Sequence, residues 1–306
     1  MKISVIIPVY NEQESVGRLH TELVSTLSSL DCSYEIIFID DGSTDSTLSE
    51  LKKLEPVRVI SFARNFGKSQ ALQAGFNAAE GEYIFTMDGD LQDDPAEIPN
   101  FIAEMGKGND LVVGWKQNRL DGKSRGLVSK IANLITGWAT GAYVHDMNCG
   151  YKLYKNYVAK GLILTGDHHR YIPAIVASKG YRVSEQRIKH RRREFGKSKY
   201  GNLGRFPKSF FDFITVVLLS SFGNKPMHLF GIFGSITGFF GFLILFYMSW
   251  LIIFKDQFVG DRPLLLLGIL LVVVSFQSVV TGFLGELIVR RPDGRQGYTV
   301  REDMKK

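Results

Sequence analysis

Two apolar stretches near the end of the chain restrict its folding more than any other feature. From Leu229 to Phe254 there is no charged residue, and from Pro263 to Val289 the only one is Glu286. Each run exceeds the roughly 20 residues that carry a helix across a bilayer's hydrocarbon core. The alternative is a pair of buried helices in a large soluble protein. Only KDQFVGDR lies between the runs, so they are expected to form a hairpin that returns the chain to its starting side. Glu286 stands one turn before Arg290, and pairing at the interface accounts for it.

Charge at the flanks orients the hairpin. Lys225 precedes the first run, and Arg290, Arg291, Arg295, Arg301, Lys305 and Lys306 follow the second. Such an excess marks the cytoplasmic side, so the N-terminal part and both termini are expected there, in an integral membrane protein. The opening MKISVIIPVYNE lacks the apolar core and cleavage site of a signal peptide. Cys32 and Cys149 are the two cysteines of the 306 residues, and their wide separation fits free thiols in a reducing compartment. The net charge of +6 comes with no recognisable nucleic-acid module, so anionic membrane lipids are the expected beneficiaries.

Ahead of the hairpin, short β-rich runs alternate with helical patterns. KISVII, YEIIFID, VRVISF, EYIFTMD and DLVVG read as strands, and helices are expected over Glu12–Leu30, Thr44–Leu54, Lys68–Ala79 and Pro95–Met105. Strands apolar on both faces and separated by helices predict an α/β fold with a mostly parallel, doubly covered sheet. Residues 1–204 would form this nucleotide-binding domain, 205–226 an amphipathic juxtamembrane segment, 227–291 the two-helix transmembrane hairpin and 292–306 a cytoplasmic tail. The segment RFPKSFFDFITVVLLSSF, from Arg205 to Phe222, suits a helix in the membrane interface, with a core helix as the alternative.

Ligands of such sheets bind beyond the carboxyl ends of the strands. Three of those ends are acidic: Pro8-Val9-Tyr10-Asn11-Glu12, Asp40-Asp41-Gly42-Ser43 and Asp88-Gly89-Asp90-Leu91-Gln92. Asp88 and Asp90, two apart at a strand end, would project to one side. With the Gln92 carbonyl they suit Mg²⁺ or Mn²⁺ shared with a substrate's phosphates. Asp40 could accept from a nucleobase, and the same stretch also reads as a turn with an N-cap at Ser43 or Thr44. Phe66-Gly67-Lys68-Ser69 imitates a phosphate loop, but Phe62 replaces its first glycine, which removes support for kinase and GTPase readings. His168-His169 point about 100° apart if helical and would not chelate together.

Taken in order, VIIPVYNE, IDDGSTD, Arg64-Asn65-Phe66-Gly67, MDGDLQDDP, Arg193-Glu194-Phe195-Gly196-Lys197-Ser198-Lys199 and the paired C-terminal runs resemble one family. It is that of the inverting nucleotide-sugar glycosyltransferases of the GT-A fold, which includes dolichyl-phosphate mannose synthases and bacterial bactoprenol glucosyltransferases. The resemblance implies transfer of one hexose from a nucleotide-sugar, UDP-glucose first and GDP-mannose second, to a polyprenyl phosphate such as undecaprenyl phosphate. It implies a bacterial inner membrane setting and is compatible with a homo-oligomer.

By position, the resemblance makes Pro8, Tyr10, Glu12, Asp40 and Asp88 nucleotide-sugar ligands, and Asp88, Asp90 and Gln92 metal ligands. Asp146 in DMNCGYKLY falls at an acidic position on the acceptor side, as a catalytic base or a turn-capping residue. Arg119, Arg125, Arg193 and Lys199 are candidates to grip phosphate groups, Arg125 sharing a helix with Ser129 and Asn133. The run His190–Arg193 also reads as plain surface charge. Two rival functions are a processive polysaccharide synthase, which usually brings a Q-x-x-R-W element absent here, and a non-catalytic membrane adaptor of the same fold.

Overall fold

The computed structural model describes residues 1–116, 143–189, 191, 225–255, 258, 260 and 262–289. The chain divides into two compact units, Met1–Ser220 and Ser221–Lys306. Arg119, Arg125, Ser129, Asn133, Arg193, Lys199, Arg290, the segment 205–222 and the tail 292–306 lie outside the described residues.

The first unit is built on a seven-stranded sheet. Its strands are β1 (Lys2–Val9), β2 (Ser33–Asp40), β3 (Arg58–Ser61), β4 (Tyr83–Thr86), β5 (Leu111–Lys116), β6 (Lys152–Lys155) and β7 (Val183–Ile188). They lie in the order β3-β2-β1-β4-β6-β5-β7. The centre is parallel: β1 pairs with β2 from Lys2↔Ser33 to Val9↔Asp40 and with β4 from Ile3↔Tyr83 to Ile6↔Thr86. Ile3, Val5, Ile6 and Ile7 are all buried, as expected for a strand covered on both faces. Flanking helices are α1 (Val16–Ser28), α2 (Thr47–Leu51), α3 (Lys68–Ala78), α4 (Ile98–Met105), α5 (Asn156–Lys160) and α6 (Ile172–Ser178).

β6 departs from the expected pattern, since it runs antiparallel to both β4 and β5. Its first residue, Lys152, lies opposite Thr86 and Val113. The chain therefore enters β6 at the edge where β4 and β5 end. DMNCGY thus reaches the same rim as the acidic strand ends, which a parallel β6 would not achieve. Neither β6 nor β7 was expected from the sequence, because LYK and VSEQRI are short and carry polar residues. The helix expected over Thr44–Leu54 is shorter, and the Pro95–Met105 segment divides into a 3₁₀ turn at Pro95–Glu97 and α4.

Beneath the rim, Phe85, Phe101 and Tyr151 form an edge-to-face triangle with centroids 5.4, 4.6 and 5.0 Å apart. All three are fully buried, and such contacts add to the area they remove from water. The Tyr151 hydroxyl leaves this cluster to donate to the Asp94 carbonyl at 2.7 Å, so the core reaches directly into the acidic loop.

The second unit contains α7 (Pro226–Lys255) and α8 (Pro263–Val289), close to the two apolar runs. Gly234, Gly238 and Gly241 let α8 approach: added Cβ atoms would meet Ser275 and Val279, Ser275, and Val272 and Gly268 respectively. Ser275 Oγ donates to the Gly234 carbonyl at 2.6 Å. Small residues and an interhelical hydrogen bond are the means by which helices associate in lipid. The outward side chains remain exposed, Phe246 at 73% and Phe276 at 71%. Both helices are long and apolar enough to cross a membrane.

The aromatic triangle predicts that Phe101→Ala costs about 3–5 kcal/mol through lost contacts and a residual cavity. Thermal unfolding of the detergent-solubilised protein should show a midpoint lowered by about 10 °C. An unchanged midpoint would contradict the packing described.

Candidate functional site

The ends of β1 and β2 are joined through their loops. The Asn11 amide donates to Ser43 Oγ at 2.9 Å, the Glu12 amide to Thr47 Oγ1 at 2.8 Å, and the Thr44 amide to Asn11 Oδ1 at 2.8 Å. Asn11 takes a positive φ of 53°, a conformation Asn tolerates better than most residues. Ser43 and Thr44 therefore do not cap α2. That helix starts at Thr47, whose amide donates to Asp45 Oδ1 at 2.9 Å.

Asp40 and Asp41 are both buried. Asp40 accepts from the Ser43 amide at 3.0 Å and from Ser61 Oγ at 2.7 Å. Asp41 accepts from the amides of Phe66 and Gly67 at 2.7 and 2.9 Å and so fixes the start of α3. Burial raises the Asp41 pKa, opposed by those two amides and assisted by Asp40. At Gly42, with φ of 70°, a Cβ would strike the backbone of Arg64 and Asn65, so glycine is required there on two counts. Pro8, Tyr10, Glu12 and Asp40 thus lie at or just beyond the paired ends of β1 and β2.

The third acidic end differs in detail. β4 stops at Thr86, so Asp88–Leu91 form a turn, with Leu91 at φ of 62°. Strand alternation therefore does not set the directions of Asp88 and Asp90. Basic groups from three separate elements hold this turn. Lys68, the first residue of α3, donates to Asp88 Oδ1. Lys116, the last residue of β5, pairs with Asp93 at 2.7 Å. Arg191, after β7, donates its amide to the Gln92 carbonyl at 2.9 Å and its guanidinium to Asp94 at 2.7 Å and Glu22 at 2.6 Å. Within the turn, the Gln92 amide donates to Asp90 Oδ1 at 3.2 Å.

Burial pushes the Asp88 pKa up, but the nearby cations Lys68, Lys116 and Lys152 outweigh it and hold the carboxyl at about 2. Asp93, fully buried, is raised by burial despite Lys116. Lys152, also buried, is lowered by burial to about 8 and donates to the Cys149 carbonyl. An added Cβ at Gly150 would meet all three carboxyl atoms of Asp88, at 2.6–2.8 Å. Only glycine lets the chain entering β6 lie against that carboxylate.

Asp146 sits in this entering segment and is 6% exposed. Its amide and that of His145 donate to Glu185 Oε1 at 3.3 and 2.6 Å, and His145 Nδ1 lies 2.7 Å from Glu185 Oε2. Glu185 thus anchors the loop from β7. His169 is buried, its Nδ1 lying 2.9 Å from Ser69 Oγ, and His168 Nδ1 is 3.3 Å from Thr165 Oγ1, so the two histidines have separate structural partners.

Sequence reasoning missed Lys116, Asp93, Arg191, Lys152 and Glu185. Of these, only Asp93, the first acidic residue of Gln92-Asp93-Asp94, stood in a visibly acidic run. Among the described residues no three His, Cys, Asp or Glu side chains converge as a metal cage. The turn instead offers an ionised carboxylate at Asp88, a second carboxylate at Asp90 and an amide at Gln92. Hard oxygen donors in an incomplete set fit Mg²⁺ or Mn²⁺ when phosphate oxygens supply the remaining positions.

Residues 4–162 match the family described as glycosyl transferase family 2. The chain is 37% identical to a dodecaprenyl-phosphate galacturonate synthase of Rhizobium johnstonii, over 99% of this chain and 93% of that one. It is 34% identical to an undecaprenyl-phosphate 4-deoxy-4-formamido-L-arabinose transferase of Proteus mirabilis, over 94% and 89%. Among solved structures, it shares its fold with glucosyl-3-phosphoglycerate synthase of Mycobacterium tuberculosis in complex with Mn²⁺, UDP-glucose and phosphoglyceric acid. There the TM-score is 0.56, with 18% identity over 72% of this chain and 79% of that one.

Burial, with Lys68 and Arg170 nearby, lowers His169 from 6.5 to about 3. Between those values the unfolded chain binds a proton that the native state refuses. The stability held above pH 6.5 is therefore lost as pH falls toward 3, by about 2 kcal/mol between pH 7 and 5. Thermal midpoints across that interval should fall less steeply for His169→Gln than for the wild type. Identical slopes would refute the assignment.

Proposed function

The chain belongs to glycosyl transferase family 2, and on that premise we propose that it transfers a single sugar from a nucleotide-sugar to a polyprenyl phosphate. The observation that carries this reading is the meeting of the β1, β2 and β4 ends with the acidic turn Asp88–Gln92, in a chain that also ends in two long apolar helices. Relatives named for dodecaprenyl and undecaprenyl phosphate, matched over nearly the whole chain, support the acceptor class. The apolar pair forms a membrane hairpin, with the transferase unit and both chain ends on the cytoplasmic side of a bacterial inner membrane.

Pro8, Tyr10, Glu12 and Asp40 line the place of the base and ribose. Asp88, Asp90 and Gln92 would hold Mg²⁺ or Mn²⁺ together with the donor's diphosphate, and the cation would supply charge neutralisation on the departing group. The acceptor phosphate, with a second pKa of about 6, is already largely anionic at neutral pH. One of its oxygens bonds to the anomeric carbon as the bond to the diphosphate oxygen breaks, and the electron pair leaves with the diphosphate. No proton has to be removed. Asp146, deep beside Lys152, therefore serves the shape of the acceptor loop, and Arg125, Arg193 and Lys199 remain as phosphate-gripping groups. What the protein supplies is placement and charge.

For the sugar, UDP-glucose and GDP-mannose give way to a nucleotide-linked uronic acid. The relative of 37% identity is named for galacturonate and the next for a formamido-arabinose. The test is transfer of radiolabel from UDP-galacturonate, UDP-glucose and GDP-mannose into undecaprenyl phosphate by the purified full-length protein, with and without chelator. Label in lipid that disappears with chelator is expected, and no labelled lipid from any donor would refute the reading. Asp90→Asn should lose at least about a hundredfold in rate while still inserting into membranes. Wild-type turnover in that variant would sink the metal assignment.

A further inference from the structure

Lys68 belongs to the stretch Phe66-Gly67-Lys68-Ser69, which imitates a phosphate loop and fails as one. The fold nevertheless gives this lysine a defined place. Asp41 secures the amides of Phe66 and Gly67, so α3 begins at a fixed point with Lys68 as its first residue. From there the ammonium group reaches Asp88 Oδ1. Its side chain is 23% exposed, and that of Asp88 is 32% exposed, so solvent-borne ligands can reach both partners.

A permanent ion pair at this spot is at odds with a cation site, because Lys68 neutralises a carboxylate that a metal needs. Lys116 and Lys152 add positive charge around the same group. Asp88 is therefore already paired with a cationic side chain. A lysine in the first turn of an eleven-residue helix is also well placed for an anion, since the helix N-terminus favours negative charge. Both features are accommodated if the lysine has two successive partners.

We infer that Lys68 is a displaceable counter-ion, which neutralises Asp88 in the ligand-free protein and moves to the donor's diphosphate when a divalent cation takes Asp88. The inference rests on the reading that the Asp88–Gln92 turn holds the cation. Its consequence is order: the cation alone meets competition from Lys68, whereas the cation with a nucleoside diphosphate gives the displaced lysine a new partner. Metal and diphosphate then bind cooperatively through one side chain, each strengthening the other by the same factor.

Two measurements on the detergent-solubilised full-length protein test this. Mn²⁺ binding by electron paramagnetic resonance and UDP binding by calorimetry would be compared between the wild type and Lys68→Met. Lys68→Met should bind Mn²⁺ alone about tenfold more tightly and, with Mn²⁺ present, UDP about tenfold more weakly. Unchanged affinities for both would overturn the inference. The second measurement needs no variant: amine acetylation read by mass spectrometry should find Lys68 more reactive with Mn²⁺ alone and protected with Mn²⁺ and UDP together. Reactivity indifferent to Mn²⁺ would overturn the inference even if Lys68→Met fails to fold. Asp90→Asn separates the underlying reading: if it binds Mn²⁺ like the wild type, the metal assignment itself has failed. If it loses Mn²⁺ while Lys68 stays indifferent, only the exchange has failed.

Discussion

The buried ion pair between Asp93 and Lys116, 2.7 Å apart, is the constraint around which the site is organised. Taking two charges out of water costs several kcal/mol per ion, and their attraction offsets this only in good geometry. Removing either partner would leave an uncompensated buried charge, a far larger penalty than keeping both. The pair therefore pins the acidic loop to the end of β5 at one residue. Arg191 on Asp94 and the Gln92 carbonyl, and Tyr151 on the Asp94 carbonyl, secure the adjoining residues. A turn with Leu91 in the left-handed region is kept in place by anchors on both sides.

The loop's position on the rim follows from strand direction. Parallel β1, β2 and β4 deliver their carboxyl ends together, and antiparallel β6 adds a loop that enters from the same edge. Gly150 lets that loop lie against Asp88, and Glu185 anchors its other end. Two lysines that the fold buries or half-buries, Lys152 and Lys116, thus come near the carboxylate group. The local field is balanced between acid and base and is suited to a ligand that is itself a cation bound to an anion.

Much of this was legible in the sequence. The parallel centre, the two terminal helices and the three acidic strand ends followed from apolar runs and their polar ends, patterns fixed by local burial. The antiparallel β6 did not, because Lys152–Lys155 is too short and polar to declare either its state or its direction. The D-x-D pair lies beyond the end of β4 rather than on it, since β4 ends at Thr86 and a turn follows, so strand alternation could not foretell its geometry. Lys68, Lys116 and Arg191 were hidden for a common reason: each partner lies at least 20 residues away, and side-chain pairing at that separation leaves no local pattern. Arg191 shows this most plainly, as a basic run readable as surface charge contains one residue that bridges two carboxylates.

The most direct test of the account is a crystal structure of the full-length protein with Mn²⁺ and UDP, using anomalous scattering to place the metal. An anomalous peak is expected within coordinating distance of Asp90 and of the diphosphate, with the nucleoside beside Asp40. A peak remote from the Asp88–Gln92 turn would contradict it.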